Sequence, residues 1–183
     1  MQEAICLGPD SGLIGAQQVP SVRIVIADDS PAVLENVVDM LREDFVIAAA
    51  LPNGASVISQ TRGLDPDVVV LDISLGDMTG FDVARRLREM KCRARIVFLT
   101  VHESADFVRA AVDLGATGYV FKSRASSDLV SAIYAASRGE AFLPAGYHSS
   151  SPAGAGGSAR SISGNFSRHS LTKLIVPSTV PLA

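Results

Sequence analysis

Asp72 ends an unbroken apolar run, and its position is the strongest chemical signal in this sequence. Residues 68–71 read Val-Val-Val-Leu, which is typical of a strand buried on both faces of a parallel sheet. Open α/β sheets bind their ligands at the carboxyl ends of the strands. The pattern therefore predicts that Asp72 lies in a functional site, where a carboxylate can attack a phosphoryl group.

Three other apolar runs also end on polar side chains. The acidic pair Asp28-Asp29 follows the first run, Thr100 follows the fourth and Lys122 follows the fifth. In a parallel sheet these groups meet at one edge, where three carboxylates would repel one another without a cation. No His or Cys belongs to the set, so the predicted cation is hard and oxygen-liganded, with Mg²⁺ as the best candidate.

Each member of this set has a predicted task. Asp72 is the nucleophile and would become an aspartyl phosphate. The acidic pair would hold the metal ion, which neutralises charge on the transferring group, and the backbone carbonyl of Ser74 is a further candidate ligand. Lys122 offers a positive charge to one phosphate oxygen, and the Thr100 hydroxyl can hydrogen-bond another.

Alternating apolar patterns predict the elements that position these residues. The predicted strands are 22–27, 45–50, 67–72, 95–99 and 118–121, and the predicted helices are 30–41, 55–63, 81–90, 103–114 and 126–138. Strands alternating with helices imply right-handed βαβ units. We therefore expect an α/β fold with a doubly wound five-stranded parallel sheet, flavodoxin-like, in the strand order 2-1-3-4-5, with helices on both faces.

Helix ends are predicted from capping residues. Ser30 is the expected N-cap of the first helix, with Pro31 in its first turn. Gly63 is expected to close the second helix, and Ser126 or Ser127 is expected to cap the last one.

Composition divides the chain into three predicted parts. Residues 1–20 carry scattered Gly and Pro and are predicted to be a flexible leader, and residues 21–144 are predicted to be the ordered domain. Residues 145–183 are rich in Gly and Ser and are predicted to be disordered, because such a segment cannot bury a core. Its short apolar run, Leu171–Val176, is interpreted as a chance cluster rather than a docking peptide.

The bulk properties argue against several classes of protein. The formal net charge of the 183 residues is -3, which gives no general basic character for binding nucleic acid or an anionic membrane. The two cysteines are too few for a disulfide framework or a CxxC metal site. No apolar run approaches the roughly 18 residues of a membrane span. We expect a soluble, cytoplasmic protein.

These motifs together resemble the response-regulator receiver domain of two-component signalling, from about Val22 to Pro144. The resemblance rests on Asp28-Asp29, the loop 72–80 (Asp-Ile-Ser-Leu-Gly-Asp-Met-Thr-Gly), Leu99-Thr100 and residues 119–122 (Tyr-Val-Phe-Lys). It implies that Asp72 receives a phosphoryl group, with Mg²⁺ required, from the phosphohistidine of a sensor histidine kinase or of a phosphotransfer protein.

The resemblance also implies a switch. The Thr100 hydroxyl would move to the phosphoryl group, and the Tyr119 ring would turn inward. The face made by the fourth helix, fifth strand and fifth helix would then change its protein partners. The output protein is not identified by the sequence, a homodimer is left open, and direct contact with nucleic acid or a membrane is not expected.

The sequence departs from the family pattern at several positions. Gly76 stands where proline is usual, which predicts a looser loop. Ser74 and His102 occupy positions that tune the lifetime of the phosphoryl group in the family. The segment Leu99–Glu103 is similar to regulators that carry a helix-turn-helix output domain, but no such domain is expected after this receiver, because the last segment has too few basic residues.

Alternative functions remain open beside this hypothesis. A phosphatase with an aspartyl-phosphate intermediate would need a second acid where Ser74 stands. A flavin-binding electron carrier is disfavoured because Asp28 and Asp29 would repel a phosphate. A receiver-fold interaction module that works without phosphorylation, or a truncated remnant of a DNA-binding regulator, would keep the same fold. We expect no enzyme beyond one that catalyses its own phosphorylation and dephosphorylation.

Overall fold

The computed structural model describes residues 21–147, in which five strands alternate with five α-helices. The strands are β1 (Arg23–Ala27), β2 (Val46–Leu51), β3 (Val68–Leu71), β4 (Arg95–Thr100) and β5 (Gly118–Phe121). The helices are α1 (Pro31–Leu41), α2 (Gly54–Leu64), α3 (Gly80–Glu89), α4 (Ala105–Asp113) and α5 (Ala125–Ser137). The predicted leader and the predicted tail from 148 onward, with its apolar run Leu171–Val176, lie outside the described residues.

All five strands form one parallel sheet in the order β2-β1-β3-β4-β5. The predicted fold class and strand order are therefore confirmed. The chain runs outward from β1 to β2 and then returns to the other side of β1 to form β3. This reversal puts the ends of β1 and β3 side by side, which is where doubly wound sheets open a ligand crevice.

The sheet separates two layers of helices, and β3 shows how the sequence fills both. Val69 and Leu71 belong to the apolar cluster under α2, α3 and α4, while Val68 and Val70 belong to the cluster under α1 and α5. Successive side chains of a strand point to opposite faces, so a strand covered on both sides needs an unbroken apolar run. None of the helices within residues 21–147 is long and apolar enough to cross a membrane.

The start of α2 is fixed by a side chain, and its end lies at a residue other than the predicted Gly63. Asn53 caps the start, where its Oδ1 accepts a hydrogen bond of 2.9 Å from the Ser56 N–H. The helix ends at Leu64, and Asp65 follows as its C-cap with a left-handed φ of 43°. Gly63 lies inside α2, so the prediction that it closes the helix was wrong. An aspartate tolerates the left-handed conformation better than most residues do.

The start of α5 differs from the predicted cap, whereas the start of α1 lies where it was predicted. A 3₁₀ turn leads directly into α5, and Arg124 occupies its N-cap position without a side-chain cap. Ser126 and Ser127 lie inside the helix, so the prediction that one of them caps it was wrong. Ser30 does occupy the N-cap position of α1, with Pro31 in the first turn as predicted, but its side chain makes no capping hydrogen bond.

A short stretch after α5, residues 141–147, continues along the outer edge of β5, and we call it the post-α5 segment. The Tyr119 N–H donates to the Phe142 carbonyl at 2.9 Å, and the Phe142 N–H donates to the Thr117 carbonyl at 2.8 Å. Leu143 and Tyr147 pack against the apolar cluster under α2, α3 and α4. The segment thereby covers part of a sheet edge that would otherwise be open.

Candidate functional site

Three carboxylates meet at the carboxyl end of the sheet. Asp28, Asp29 and Asp72 each offer an oxygen that lies within 4.8 Å of the other two. Asp28 and Asp72 are only 2% and 4% exposed, whereas Asp29 faces solvent. The cause is the sheet register: Ala27 is paired with Leu71 on the neighbouring strand, so the residues that follow them are also neighbours. The structure brings together the acidic set that the sequence singled out.

Lys122 joins this cluster from the end of β5. Its ammonium nitrogen lies 2.6 Å from Asp28 Oδ2 and 2.8 Å from Asp72 Oδ2. Burial on its own lowers the pKa of Lys122, but hydrogen bonds to the two carboxylates outweigh burial and raise it above its ordinary value. The pKa of Asp28 is raised by burial, against the opposing effect of Lys122. The lysine therefore stays cationic at neutral pH.

The donor set fits a hard divalent cation. One lysine balances only one of three carboxylates, and all the side-chain donors are oxygen atoms. Mg²⁺ binds through one or two carboxylates while keeping several waters. Asp29 is exposed, which leaves room for such waters, and Ser74, whose carbonyl is the further candidate ligand, is also exposed. The residues of this cluster would therefore suit Mg²⁺ better than a metal that prefers nitrogen or sulfur ligands.

Both oxygens of Asp72 are oriented by neighbours. Oδ1 accepts a 2.7 Å hydrogen bond from the Ile73 N–H, and Oδ2 accepts the bond from Lys122. The backbone N–H of Asp72 donates to the Ala27 carbonyl at 2.9 Å. Among the residues that the structure describes, Lys122 is the one whose side chain bonds to the Asp72 carboxylate, and the Ile73 backbone supplies the other hydrogen bond.

Thr100 and Tyr119 both contact the backbone of His102, in the loop between β4 and α4. Thr100 is fully buried, and its Oγ1 accepts a long hydrogen bond of 3.4 Å from the His102 N–H. The Tyr119 ring is 1% exposed, and its hydroxyl donates to the His102 carbonyl at 2.8 Å. Burial raises the pKa of this phenol above its ordinary value. The Tyr119 ring is therefore already buried without a phosphoryl group on Asp72.

Two residues make contacts that were not predicted from the sequence. The His102 imidazole is partly buried, stacks on Phe107 at a centroid distance of 4.3 Å, and has the Ser74 hydroxyl 3.4 Å from its Nε2. The Asp77 carboxylate, for which no role was predicted, accepts backbone hydrogen bonds from the start of α2. The contacts of His102 with Ser74 and of Asp77 with the start of α2 leave no signal in the sequence, because these partners are more than 20 residues away.

The fold places the chain in the flavodoxin-like α/β class, and comparison with protein families is more specific. The model of the response regulator receiver domain matches residues 24–134. This chain belongs to the response regulator receiver domain family, which confirms the resemblance drawn from the sequence.

Relatives of known name agree with this assignment. The chain is 30% identical over 124 residues to the uncharacterized transcriptional regulatory protein YxjL of Bacillus subtilis (strain 168), covering 67% of this chain and 57% of YxjL. It is 34% identical over 119 residues to the nitrate/nitrite response regulator protein NarP of Escherichia coli (strain K12), covering 64% of this chain and 55% of NarP. The chain thus spans little more than half the length of these relatives.

Solved structures show the same fold. A LuxR-family two-component response regulator from Aurantimonas sp. SI85-9A1 aligns with a TM-score of 0.64 and 31% identity, covering 67% of this chain and 89% of that one. The isolated REC domain of RcsB from Salmonella enterica serovar Typhimurium, in the presence of phosphomimetic BeF3-, aligns with a TM-score of 0.63 and 26% identity, covering 68% and 94%.

Proposed function

We propose that this chain is a phosphoacceptor response regulator that is phosphorylated on Asp72 and signals through a phosphorylation-dependent change of protein partners. The observation that carries the proposal is the buried cluster in which Lys122 lies 2.8 Å from Asp72, beside carboxylates whose oxygens lie within 4.8 Å of one another. Membership of the receiver family supports the same role.

The reaction at Asp72 would be a direct phosphoryl transfer. A carboxylate oxygen of Asp72 attacks the phosphorus of a phosphohistidine on a sensor histidine kinase or phosphotransfer protein. A P–O bond forms while the P–N bond breaks, and the electron pair leaves on the imidazole nitrogen. Bound Mg²⁺ would supply positive charge that lowers the repulsion between the anionic phosphoryl group and the carboxylates. Asp28, Asp29 and the Ser74 carbonyl are its proposed ligands.

Lys122 would neutralise charge once the phosphoryl group has arrived. Its ammonium already bridges Asp28 and Asp72, and a phosphoryl group on Asp72 would present new oxygens within reach of the same side chain. A compact ammonium with three donors can exchange one carboxylate partner for a phosphate oxygen without leaving the site. Lys122 and Asp72 are therefore the residues on which the chemistry would depend most.

Thr100 and Tyr119 would convert phosphorylation into a change of surface. The hydrogen bond from the His102 N–H to Thr100 is long, so little is lost when the hydroxyl turns to a phosphoryl oxygen. Such a turn would act on the backbone of His102, which Tyr119 also binds. The β4–α4 loop would then shift, and the face made by α4, β5 and α5 would exchange partners. That face is the proposed site for an output protein or for a homodimer.

The family relatives favour a second, narrower candidate. YxjL is called a transcriptional regulatory protein and NarP a response regulator, so this receiver would control transcription. A regulator of transcription would act in the cytoplasm. We propose that this receiver acts there through contacts with other proteins and does not bind DNA itself. Electrophoretic mobility of DNA mixed with this chain should not change; a specific shift would contradict that part of the proposal.

Phosphorylation is tested by intact-protein mass spectrometry. The purified chain is incubated with MgCl₂ and acetyl phosphate, and the mass should rise by one phosphoryl group. Asp72→Asn should show no increase, because an amide is not an effective nucleophile, and chelation of Mg²⁺ by EDTA should prevent labelling of the unchanged protein. Equal labelling of the Asp72→Asn variant, or labelling unaffected by EDTA, would overturn the proposal.

A further inference from the structure

Residues 73–79, which we call the acceptor loop, leave Asp72 and return to it. The Gly80 N–H donates to the Ile73 carbonyl at 2.7 Å, and Ser74 and Thr79 form an antiparallel bridge. At Gly80 a Cβ atom would collide with the backbone carbonyl oxygen of Asp72. The two ends of the loop are therefore fixed by backbone contacts beside the acceptor.

The tip of the acceptor loop is a tight turn centred on Gly76. The Asp77 N–H donates to the Leu75 carbonyl at 2.8 Å, two residues back, and Gly76 has a φ of 73°. These are the features of a γ-turn with positive φ, a conformation that strains any other residue and that proline cannot adopt. Leu75 is 1% exposed and anchors the turn in the core. The glycine makes a turn that leaves Asp77 exposed at the tip of the loop.

Asp77 attaches this tip to the first turn of α2. Its Oδ1 accepts from the Gly54 N–H at 2.9 Å and from the Met78 N–H at 3.0 Å, and its Oδ2 accepts from the Ala55 N–H at 3.0 Å. The first N–H groups of a helix have no partner within the helix, and their partial positive charge favours a carboxylate. The hydrogen bond from Gly54 is the largest of the effects that lower the pKa of Asp77.

The first turn of α2 is itself tied to the acidic pair. It follows the end of β2, where the Leu51 carbonyl accepts a hydrogen bond of 3.2 Å from the Asp28 N–H. On the other side of the crevice, a Cβ atom on Gly76 would lie 3.6 Å from Asp29 Oδ2, so the tip of the acceptor loop passes close to that carboxylate. Through Asp77, the acceptor loop is thus connected to the start of α2 and, by way of the end of β2, to the loop after β1 that carries Asp28 and Asp29.

We propose that Asp77 is a positioning residue for the metal site: by tying the acceptor loop to α2, it fixes the spacing between the Ser74 carbonyl and the carboxylates of Asp28 and Asp29. This inference rests on the proposed phosphorylation of Asp72 with Mg²⁺. Asp77 touches neither the acceptor nor the proposed ligands directly. Its effect on phosphorylation therefore acts through metal affinity, while the nucleophile and Lys122 stay unchanged.

The test compares the affinity for Mg²⁺ in the full chain and in three variants. Backbone amide shifts are followed by NMR while MgCl₂ is added at constant ionic strength. Asp77→Ala should weaken binding about tenfold, the lower end of the effect seen when groups that support metal ligands are removed. Asp77→Asn should weaken it less, because one oxygen can still accept from Gly54. Asn53→Ala is the matched control, since it also removes a cap from α2, but the hydrogen bond that it removes lies within the start of the helix.

The rate of labelling by acetyl phosphate gives a second readout. In Asp77→Ala the rate should fall at low Mg²⁺ and recover at saturating Mg²⁺, because only the affinity has changed. A role confined to the stability of α2 would make Asn53→Ala weaken Mg²⁺ binding as much as Asp77→Ala does, and that result would overturn the inference.

Unchanged Mg²⁺ affinity in both Asp77 variants would also overturn it. If Asp77→Ala fails to fold, Asp77→Asn decides by the same criterion. The proposed function is judged separately on the unchanged protein. Absence of labelling there contradicts the proposed function, whereas labelling that is intact and equally Mg²⁺-dependent in the Asp77 variants contradicts only the role of Asp77.

Discussion

Two loops at the same edge of the sheet are held in opposite ways. The acceptor loop is closed by backbone hydrogen bonds at its ends and by Asp77 at its tip. The loop between β4 and α4 leaves Val101 66% exposed. This loop is held by hydrogen bonds from side chains outside it. The Tyr119 hydroxyl donates to the His102 carbonyl at 2.8 Å, and the Ser123 hydroxyl donates to the Glu103 carboxylate at 3.1 Å.

For the proposed function, this difference would separate a part that has to stay in place from a part that can move. Backbone contacts that close a loop on itself are lost only when the local structure unfolds, whereas a single side-chain hydrogen bond can be exchanged for another at small cost. A nucleophile and its metal ligands require fixed spacing, and a conformational switch requires two arrangements of similar free energy. The three predictions below test this contrast, from the largest expected effect to the smallest.

Gly80→Ala should disrupt the acceptor loop. The added methyl group would meet the Asp72 carbonyl oxygen, which belongs to the backbone and cannot turn aside. We expect a loss of about 2–3 kcal/mol in the free energy of unfolding, as for other overpacked sites, together with slower labelling of Asp72. Urea denaturation and mass spectrometry measure the two effects.

Gly63→Ala is the control for that substitution. Gly63 lies inside α2 with no atom within 4 Å of an added Cβ, so the variant should gain about 0.5–1 kcal/mol from helix propensity. If Gly80→Ala were as stable as the unchanged protein, the close approach of the loop to Asp72 would not be needed, and the contrast between the loops would fail.

Tyr119→Phe should lower the local stability of the loop between β4 and α4 only. It removes the hydrogen bond to the His102 carbonyl, at a cost of about 1 kcal/mol, and hydrogen exchange should quicken at residues 101–105 while residues 73–79 keep their protection. Tyr134→Phe is the matched control, because the Tyr134 hydroxyl makes only a 3.5 Å contact to the exposed Asp44 carbonyl. Equal quickening in both loops would show that they form one unit.

The smallest effect concerns pH. Since the pKa of Asp77 is lowered in the folded chain, mainly by the hydrogen bond from Gly54, its ionised form stabilises the fold above the ordinary value of 3.8, and this contribution is lost as the pH falls through the folded pKa. The difference in unfolding free energy between the unchanged protein and Asp77→Asn should therefore shrink from pH 7 to acid. A constant difference would mean that the charge of Asp77 contributes nothing.

Most of the sheet could be predicted because apolar runs and strand order depend on local patterns and on length. The convergence of Asp28, Asp29 and Asp72 follows from the same reasoning, since parallel strands end at one edge. Helix ends were predicted less well. The left-handed Asp65 took the role expected of Gly63, and the 3₁₀ turn made a serine cap on α5 unnecessary.

What the sequence did not reveal depends on contacts between distant segments. Asp77 binds the N–H of Gly54, 23 residues away, and no periodicity marks a carboxylate that caps a helix from another loop. In the same way the apolar character of the run before Lys122 indicates a strand, but it cannot show that the Tyr119 hydroxyl meets the backbone of His102. Such contacts arise only when the fold has brought the segments together.

The post-α5 segment limits how a partner can recognise the switch. An open edge strand invites another chain to extend the sheet by main-chain hydrogen bonds. At the start of β5, the carbonyl of the preceding residue, Thr117, and the Tyr119 N–H are already bonded to Phe142, so this part of the edge offers no template for strand addition. A partner that responds to the proposed switch would therefore contact the start of this edge through side chains, which favours recognition of one specific sequence over unspecific β-association.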